Sequence, residues 1–454
     1  MASFTKTMSG CGARKKALFS EPVDVLLVNP WIYDFAAYDF WLRPYGLLRL
    51  GGWLRKKGYR VKLLDLLDPF HPELPRRPKR KFFGTGHFFR TPVEKPALFE
   101  DVPRRWARYG LPPELVEREL SRIPAPRLIL LTCLQTYWYP GALETYRLLR
   151  RFFPETPILL GGIYARLLPD HAQKTFPEAE IVVTGREEEI LSRIEELVPP
   201  SGEPRSEGYP VFDLQREIPY AVLLTGTGCP FRCAYCASRL LFPEIKRRSP
   251  EDLFSEILYW YERFGVRDLV FYDDALLWDF EHHLGPLLER VVEAGISVRF
   301  HTPNALHARF LTPEVARWLK RAGFVTVRLG LETVTRRYDQ KVNPEEFEAA
   351  VASLRQAGYA PREIGVYLLF GLPEQELSEV RKAAEYVARL GARPILAEYS
   401  PVPGTPLFKE ASRISRYPLF EEPLAHNNSV FPAFKRPDWE AIEGLKRYVR
   451  ELSR

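Results

Sequence analysis

Thr227-Gly228-Cys229-Pro230-Phe231-Arg232-Cys233-Ala234-Tyr235-Cys236 decides how this chain is read. Three cysteines fall within eight residues, spaced Cys-x3-Cys-x2-Cys. Three thiolates on one short loop hold three corners of an iron–sulfur cube and leave the fourth iron open to a substrate or a second cofactor. A closed structural zinc site needs a fourth ligand, usually from a second cysteine pair or a histidine. No histidine lies within forty residues on either side of the loop. Cys229, Cys233 and Cys236 are therefore read as ligands of a 4Fe-4S cluster.

The surroundings of the loop read as alternating strands and helices. Strands are predicted at 221–225, 269–272, 298–301, 326–330, 365–370 and 395–400. Helices fall between them at 250–264, 281–294, 313–322, 344–357 and 377–390. Six such units in series imply a parallel, curved sheet, a partial (β/α)6 barrel, with the cysteine loop after its first strand. Upstream, Val23-Asp24-Val25-Leu26-Leu27-Val28-Asn29-Pro30 reads as a buried strand. A helix over 45–58 and strands at 60–65, 128–132, 157–160 and 181–184 follow. The fold class is α/β, an N-terminal Rossmann-like doubly wound domain followed by the barrel. Boundaries are expected at 23–198, 215–405 and a small C-terminal cap at 406–454. The Pro-, Arg- and Phe-rich stretch 69–112 reads as irregular.

Composition narrows the class. The chain has 454 residues, 46% hydrophobic and 27% charged, enough for two or three domains with their own cores. No apolar run is long enough to span a bilayer. Residues 1–22 lack the apolar segment of a secretory signal and read as a disordered tail. Outside the loop only Cys11 and Cys133 remain, too few for a further cluster or a secreted disulfide framework. The expected setting is the reducing cytoplasm. Net charge is +7, with 65 Lys+Arg against 58 Asp+Glu. Its densest part, Arg76-Arg77-Pro78-Lys79-Arg80-Lys81, reads as a solvated, proline-broken insertion, so nucleic acid is not an expected partner.

The cysteine string resembles the signature of the radical S-adenosylmethionine (SAM) superfamily. Arg248-Ser249-Pro250-Glu251 and Phe271-Tyr272-Asp273-Asp274 resemble its cobalamin-binding branch. Gly330-Leu331-Glu332-Thr333, Phe370-Gly371-Leu372-Pro373 and Pro401-Val402-Pro403-Gly404-Thr405-Pro406 continue the likeness, one motif per strand end, over 215–410. The resemblance implies an open iron that chelates SAM and an electron that cleaves it to a 5′-deoxyadenosyl radical. It sets Tyr235 near the adenine and Asp273 or Asp274 at the SAM ammonium. Glu332 is set facing SAM, and Gly371 where backbone approaches the adenine. Asn304 and His301 follow the third strand and are expected at the ribose or methionine part. Tyr235, Asp273 and Asp274 are thus the candidate reactive-site residues. For the two aspartates the plain alternative is a helix cap.

The N-terminal part resembles the cobalamin-binding domain of class B radical SAM enzymes. The carriers are Tyr45-Gly46-Leu47-Leu48, Leu160-Gly161-Gly162-Ile163-Tyr164-Ala165 and Val183-Thr184-Gly185-Arg186-Glu187-Glu188. This implies corrin over the strand ends carrying Asn29, Cys133–Tyr137 and Gly161, Gly162 and Tyr164, with Tyr137 and Trp138 among the aromatics against it. The string Asp-x-His-x-x-Gly that gives cobalt a histidine is absent; Asp279-Phe-Glu-His282-His283-Leu-Gly285 has the wrong spacing. The alternative is a Rossmann domain without cofactor. The expected activity is methylation of an unactivated carbon in a small-molecule or peptide substrate, with flavodoxin or ferredoxin as electron donor. A radical rearrangement or cyclisation with the same cofactors is the alternative, and a non-catalytic SAM or iron–sulfur protein the remaining one. Leu424-Ala-His426-Asn-Asn-Ser-Val-Phe431 is expected either over the barrel mouth or at its bottom.

Overall fold

The computed structural model describes residues 22–334 and 342–453. The tail expected over 1–22 lies, but for residue 22, outside the described residues, as does Cys11. Among the described residues no helix is long and apolar enough to cross a membrane.

Strands β1 (Val25–Asn29), β2 (Val61–Asp65), β3 (Leu128–Thr132), β4 (Ile158–Gly161) and β5 (Glu180–Ile181) form one parallel sheet in the order β2-β1-β3-β4-β5. Every residue of β1 and β3 is buried, as a parallel strand covered on both faces requires. Their side chains alternate between two cores. Leu26, Val28, Ile129, Leu131 and Leu160 face α2 (Pro113–Ser121) and α3 (Tyr139–Phe152). Val25, Leu27, Leu130 and Leu159 share a core with α1 (Tyr45–Lys56). That second core runs on without a break into the next sheet.

The next sheet is β6 (Ala221–Leu223), β7 (Asp268–Phe271), β8 (Arg299–His301), β9 (Phe324–Glu332), β10 (Ile364–Phe370) and β11 (Arg393–Glu398), parallel and in sequence order. Its helices start where capping chemistry puts them. Ser249, Thr312 and Asn343 each accept a hydrogen bond from the backbone N–H three residues on. Each is followed by a proline at the first helical position and acidic residues in the first turn.

Buried Asp39 joins the two sheets. It accepts from Tyr220 Oη at 2.7 Å, Arg80 Nη2 at 2.5 Å and Arg43 Nη1 at 3.4 Å. Trp41 stacks on His301 at 4.8 Å, and Tyr272 donates to the Trp41 carbonyl.

Two expectations change. The stretch 69–112 is not merely irregular: Gly86–His87 pairs with Tyr38–Asp39, and Arg90–Pro92 and Ile32–Asp34 flank Ala107–Tyr109 in a small antiparallel sheet. These strands have two or three residues, too few for alternation to register. The strand expected at 181–184 is only Glu180–Ile181, and Val182–Gly185 is left as half-exposed or exposed chain.

Candidate functional site

Strand β6 ends at Leu223, two residues earlier than its pattern suggests. The chain then enters a short antiparallel pair, Gly226–Thr227 with Lys246–Arg247, which closes residues 228–245 into one loop. Gly228 turns into it at φ +83°, where an added Cβ would sit 2.4 Å from the Glu244 carbonyl oxygen, so the turn requires glycine. Cys236 N donates to Cys233 O at 3.1 Å, and Ser238 N lies 3.4 Å from Cys236 Sγ at the start of α4 (Ser238–Leu241). Cys229 and Cys233 are half-buried and Cys236 is exposed. Among the described residues no three metal-ligating side chains are already gathered about one point. The fit to a cluster rests on the donors: three soft sulfurs on one short closed loop, at the carboxyl end of a parallel sheet where ligands bind.

The loop is braced from below. Asp273 is buried and accepts from Thr225 Oγ1 at 2.5 Å, Thr225 N at 3.1 Å and Gly226 N at 2.9 Å. Thr225 Oγ1 in turn lies 2.8 Å from His283 Nε2. Burial pushes the Asp273 carboxyl up to about 6, against these donors. Burial, with Arg247 nearby, pulls His283 down to about 4, so its ring is neutral and Nε2–H donates to Thr225. Asp273 was expected at the SAM ammonium; the structure gives it the loop instead. Because β6 stops early, the Thr225 and Gly226 amides turn to the carboxylate.

Asp274 accepts from Ser238 Oγ, and burial raises its carboxyl. Phe231, between the first two cysteines, stacks on His307 with centroids 4.1 Å apart. Leu407 N donates to Ala234 O at 3.0 Å. Half-buried Tyr235 packs against a core that includes Phe99, Trp106, Tyr399 and Leu407. Sequence reading missed Thr225, Ser238, His283 and His307. His283 lay in view within the Asp279–Gly285 string, but as a failed cobalt ligand; no signal in that string pointed to Thr225.

Residues 223–387 match the sequence model of the radical SAM superfamily. The chain carries a radical SAM domain. Among curated proteins, the chain is 24% identical over 202 residues to an uncharacterised methyltransferase of Pyrococcus horikoshii, covering 43% of this chain and 42% of that one. It thus spans less than half of that relative's length. It is 19% identical to cytidylyl-2-hydroxyethylphosphonate methyltransferase of Streptomyces wedmorensis, over 86% of this chain and 82% of that one. Among solved structures, the radical SAM methyltransferase TsrM of Kitasatospora setae, with cobalamin and a [4Fe-4S] cluster bound, superposes with a TM-score of 0.65 at 16% identity. That superposition covers 95% of this chain and 89% of that one, so the two share a fold through both sheets.

The other expected residues of the radical SAM domain divide. Glu332 ends β9, buried, with a left-handed backbone at φ +63° and a register shift between Gly330 and Glu332. A non-glycine residue held in that conformation is strained, and strain of this kind collects at functional sites. Asn304 is exposed and bridges loops by donating to Tyr272 O at 2.8 Å. His301 does not reach the mouth. It is fully buried, 3.0 Å from both Asp268 Oδ1 and Thr326 Oγ1, under Trp41. Gly371 has φ +91°, and its Cβ position lies 2.9 Å from the Phe431 ring, so the glycine admits the C-terminal segment where close approach of an adenine was expected.

That segment settles on the mouth side. His426 bonds Thr136 Oγ1 after β3 at 2.9 Å, Asn427 Nδ2 donates to Asp34 at 2.9 Å, and Ser400 Oγ donates to His426 O at 2.7 Å after β11. It also covers part of the N-terminal strand ends. Asn29 donates to Asp65, Trp138 donates to Asp34, Tyr137 is buried, and buried Tyr164 bonds His171. Buried Asn29, Tyr137 and Tyr164 support the surface rather than form it. Half-exposed there are Trp138, Leu134-Gln135, Gly161-Gly162-Ile163 and Val182, with exposed Val183 and Gly185 beside them. A Cβ on Gly161 would meet only Val182, at 3.9 Å. Arg166 reaches from this ledge to the Leu241 carbonyl of the cysteine loop and lies over the Phe242 ring. The ledge and the cysteine loop therefore meet, and glycine backbone with apolar neighbours suits the edge of a macrocycle.

Proposed function

We propose that this protein is a cobalamin-dependent radical SAM enzyme that cleaves SAM reductively and methylates an unactivated carbon of a small-molecule or peptide substrate. The observation that carries the reading is the junction itself: a three-cysteine loop on a parallel barrel abuts the carboxyl ends of a second parallel sheet. The methyltransferase names of the two relatives and the TsrM likeness support it. In this reading Cys229, Cys233 and Cys236 hold a 4Fe-4S cluster, which supplies the electron that cleaves SAM. Tyr235, Asp274, Asn304 and Glu332 line the SAM site, and Asp273 acts through the loop. Gly161, Gly162 and Val182–Gly185 hold the edge of cobalamin, which carries the methyl group. The parts at work are 23–198, 215–405 and the 406–454 cap, with a flavodoxin or ferredoxin as electron donor in the cytoplasm.

Purification under anaerobic conditions with hydroxocobalamin tests this. Iron near four and cobalt near one per chain, with 5′-deoxyadenosine formed from SAM and reductant, is the expected result. A full cluster without cobalt removes the methyl-transfer reading. Absence of 5′-deoxyadenosine from cluster-loaded protein removes the radical one.

A further inference from the structure

Strand β9 alternates its side chains between two faces. Val327 and Leu329 lie in the core between barrel and helices, and Arg328 points the other way, into the barrel interior. Register makes this a row across three strands. Arg328 pairs with Gly365 on β10, and Gly365 pairs with Arg393 on β11. A Cβ on Gly365 would lie 2.7 Å from Arg328 Cδ and 2.8 Å from its Nη1. The Arg328 side chain therefore lies flat across the glycine, on the strand that separates it from Arg393.

Arg328 is only 6% exposed. Its Nη1 donates to the Val327 carbonyl of its own strand at 3.1 Å, and its Nε has no partner. The Tyr367 hydroxyl lies beside it as an acceptor, its own proton donated to the Pro303 carbonyl at 2.9 Å. Among the described residues neither Arg328 nor Arg393 has a carboxylate within ion-pair distance. Other arginines do: buried Arg43 has Asp39, and half-buried Arg248 has Glu256. Burial and the neighbouring Arg393 pull the Arg328 pKa below its usual range. A buried cation with no counter-charge is a costly arrangement unless an anion completes it.

We propose that Arg328 and Arg393 form an anion-binding site inside the barrel, which takes the carboxylate or phosphoryl group of the substrate. The planar guanidinium fork matches both groups bidentately. Assigning the anion to the substrate rests on the function proposed above; the site itself does not. Arg328 lies four residues before Glu332 on β9, roughly 13 Å along the strand from the barrel mouth. SAM is proposed at the mouth, so this anion is a second one. A substrate anchored by its charged end at Arg328 presents its other end to the mouth.

The test titrates the cluster-loaded full chain with inorganic phosphate, and separately with acetate, by calorimetry at constant ionic strength. S-adenosylhomocysteine is titrated in parallel. Wild type binds phosphate or acetate saturably at one site. Arg328→Met weakens that binding at least tenfold and Arg393→Gln weakens it several-fold, with S-adenosylhomocysteine affinity unchanged within about twofold. Arg328→Met also raises the thermal midpoint in anion-free buffer, because it removes an uncompensated buried charge; a purely structural arginine would lower it. Absence of saturable binding of either anion by wild type overturns the proposal, as does wild-type affinity in both variants. A tenfold loss of S-adenosylhomocysteine affinity in Arg328→Met also overturns it, by making Arg328 part of the SAM site. If Arg328→Met does not fold, Arg393→Gln carries the same decision. Loss of the radical SAM reading would show as missing 5′-deoxyadenosine and would leave the phosphate titration as it is.

Discussion

Thr225→Val removes one hydroxyl and keeps the shape of the side chain. That hydroxyl donates to the buried Asp273 carboxylate at 2.5 Å and accepts from His283 Nε2 at 2.8 Å. The first bond is charge-assisted and contributes about 1.5–3 kcal/mol. The second loss strands a buried N–H, costing about 1–3 kcal/mol more. Together the base of the cysteine loop should open more easily by roughly 2.5–6 kcal/mol, or about two to four decades in the opening equilibrium. The assay is amide hydrogen exchange in peptides covering 224–228, whose Thr225 and Gly226 amides both donate to Asp273. Protection there should collapse, with peptides of the N-terminal sheet unchanged. His283→Leu, which leaves the Thr225–Asp273 bond in place, should cost less. A change of less than about fivefold in Thr225→Val would refute the idea that this relay anchors the loop.

Alanine at Cys229, Cys233 or Cys236 should abolish iron binding and 5′-deoxyadenosine formation, and alanine at Cys133, buried with its Sγ against the Gln135 carbonyl, should leave iron unchanged by colorimetric assay. Gly162→Ala places a Cβ 2.4 Å from the Cys133 carbonyl oxygen at φ +96° and should lower the thermal midpoint, at a cost of about 1–3 kcal/mol. Gly161→Ala meets only Val182 and should leave the midpoint near wild type while reducing bound cobalt. Glu332→Gln should weaken SAM binding by calorimetry with cluster iron unchanged; equal affinity removes Glu332 from the SAM site. Fully buried His426 has its pKa pulled down to about 4 by desolvation. The unfolded chain then binds the extra proton between the two pKa values, so this residue's contribution is present at neutral pH and is lost as pH falls from 6.5 toward 4. The loss amounts to about 3 kcal/mol, and His426→Gln should flatten that limb of the stability–pH curve.

Much of the barrel was legible because its signals are local. A cap residue, a proline and an acidic residue mark helix starts at 249, 312 and 343, and apolar runs mark the strands between them. The cysteine loop offers its candidate donors through its spacing, the aromatic Tyr235 and the context that follows. The candidate site was less legible. Asp273 and Asp274 sit side by side in sequence after β7, yet one is turned under the loop to Thr225 and the other lies beside it at Ser238. The division depends on where β6 stops and which amides it leaves over. His301 and Gly371 were expected at ligands and instead meet Trp41 and Phe431, aromatics 260 and 60 residues away in sequence.

The sequence by itself determined the three-cysteine string, the strand–helix alternation and the two-sheet plan, because cysteine spacing, capping chemistry and hydrophobic period act over a few residues. Only the tertiary structure decided which polar groups face a ligand and which face the protein. Buried polar atoms must find partners, and here the partners come from distant segments: His283 for Thr225, Asn427 for Asp34, Thr136 for His426. Arg328 shows the same rule from the other side. Its sequence context is that of an ordinary strand residue, and only the register of β9, β10 and β11 brings it into a row with Arg393.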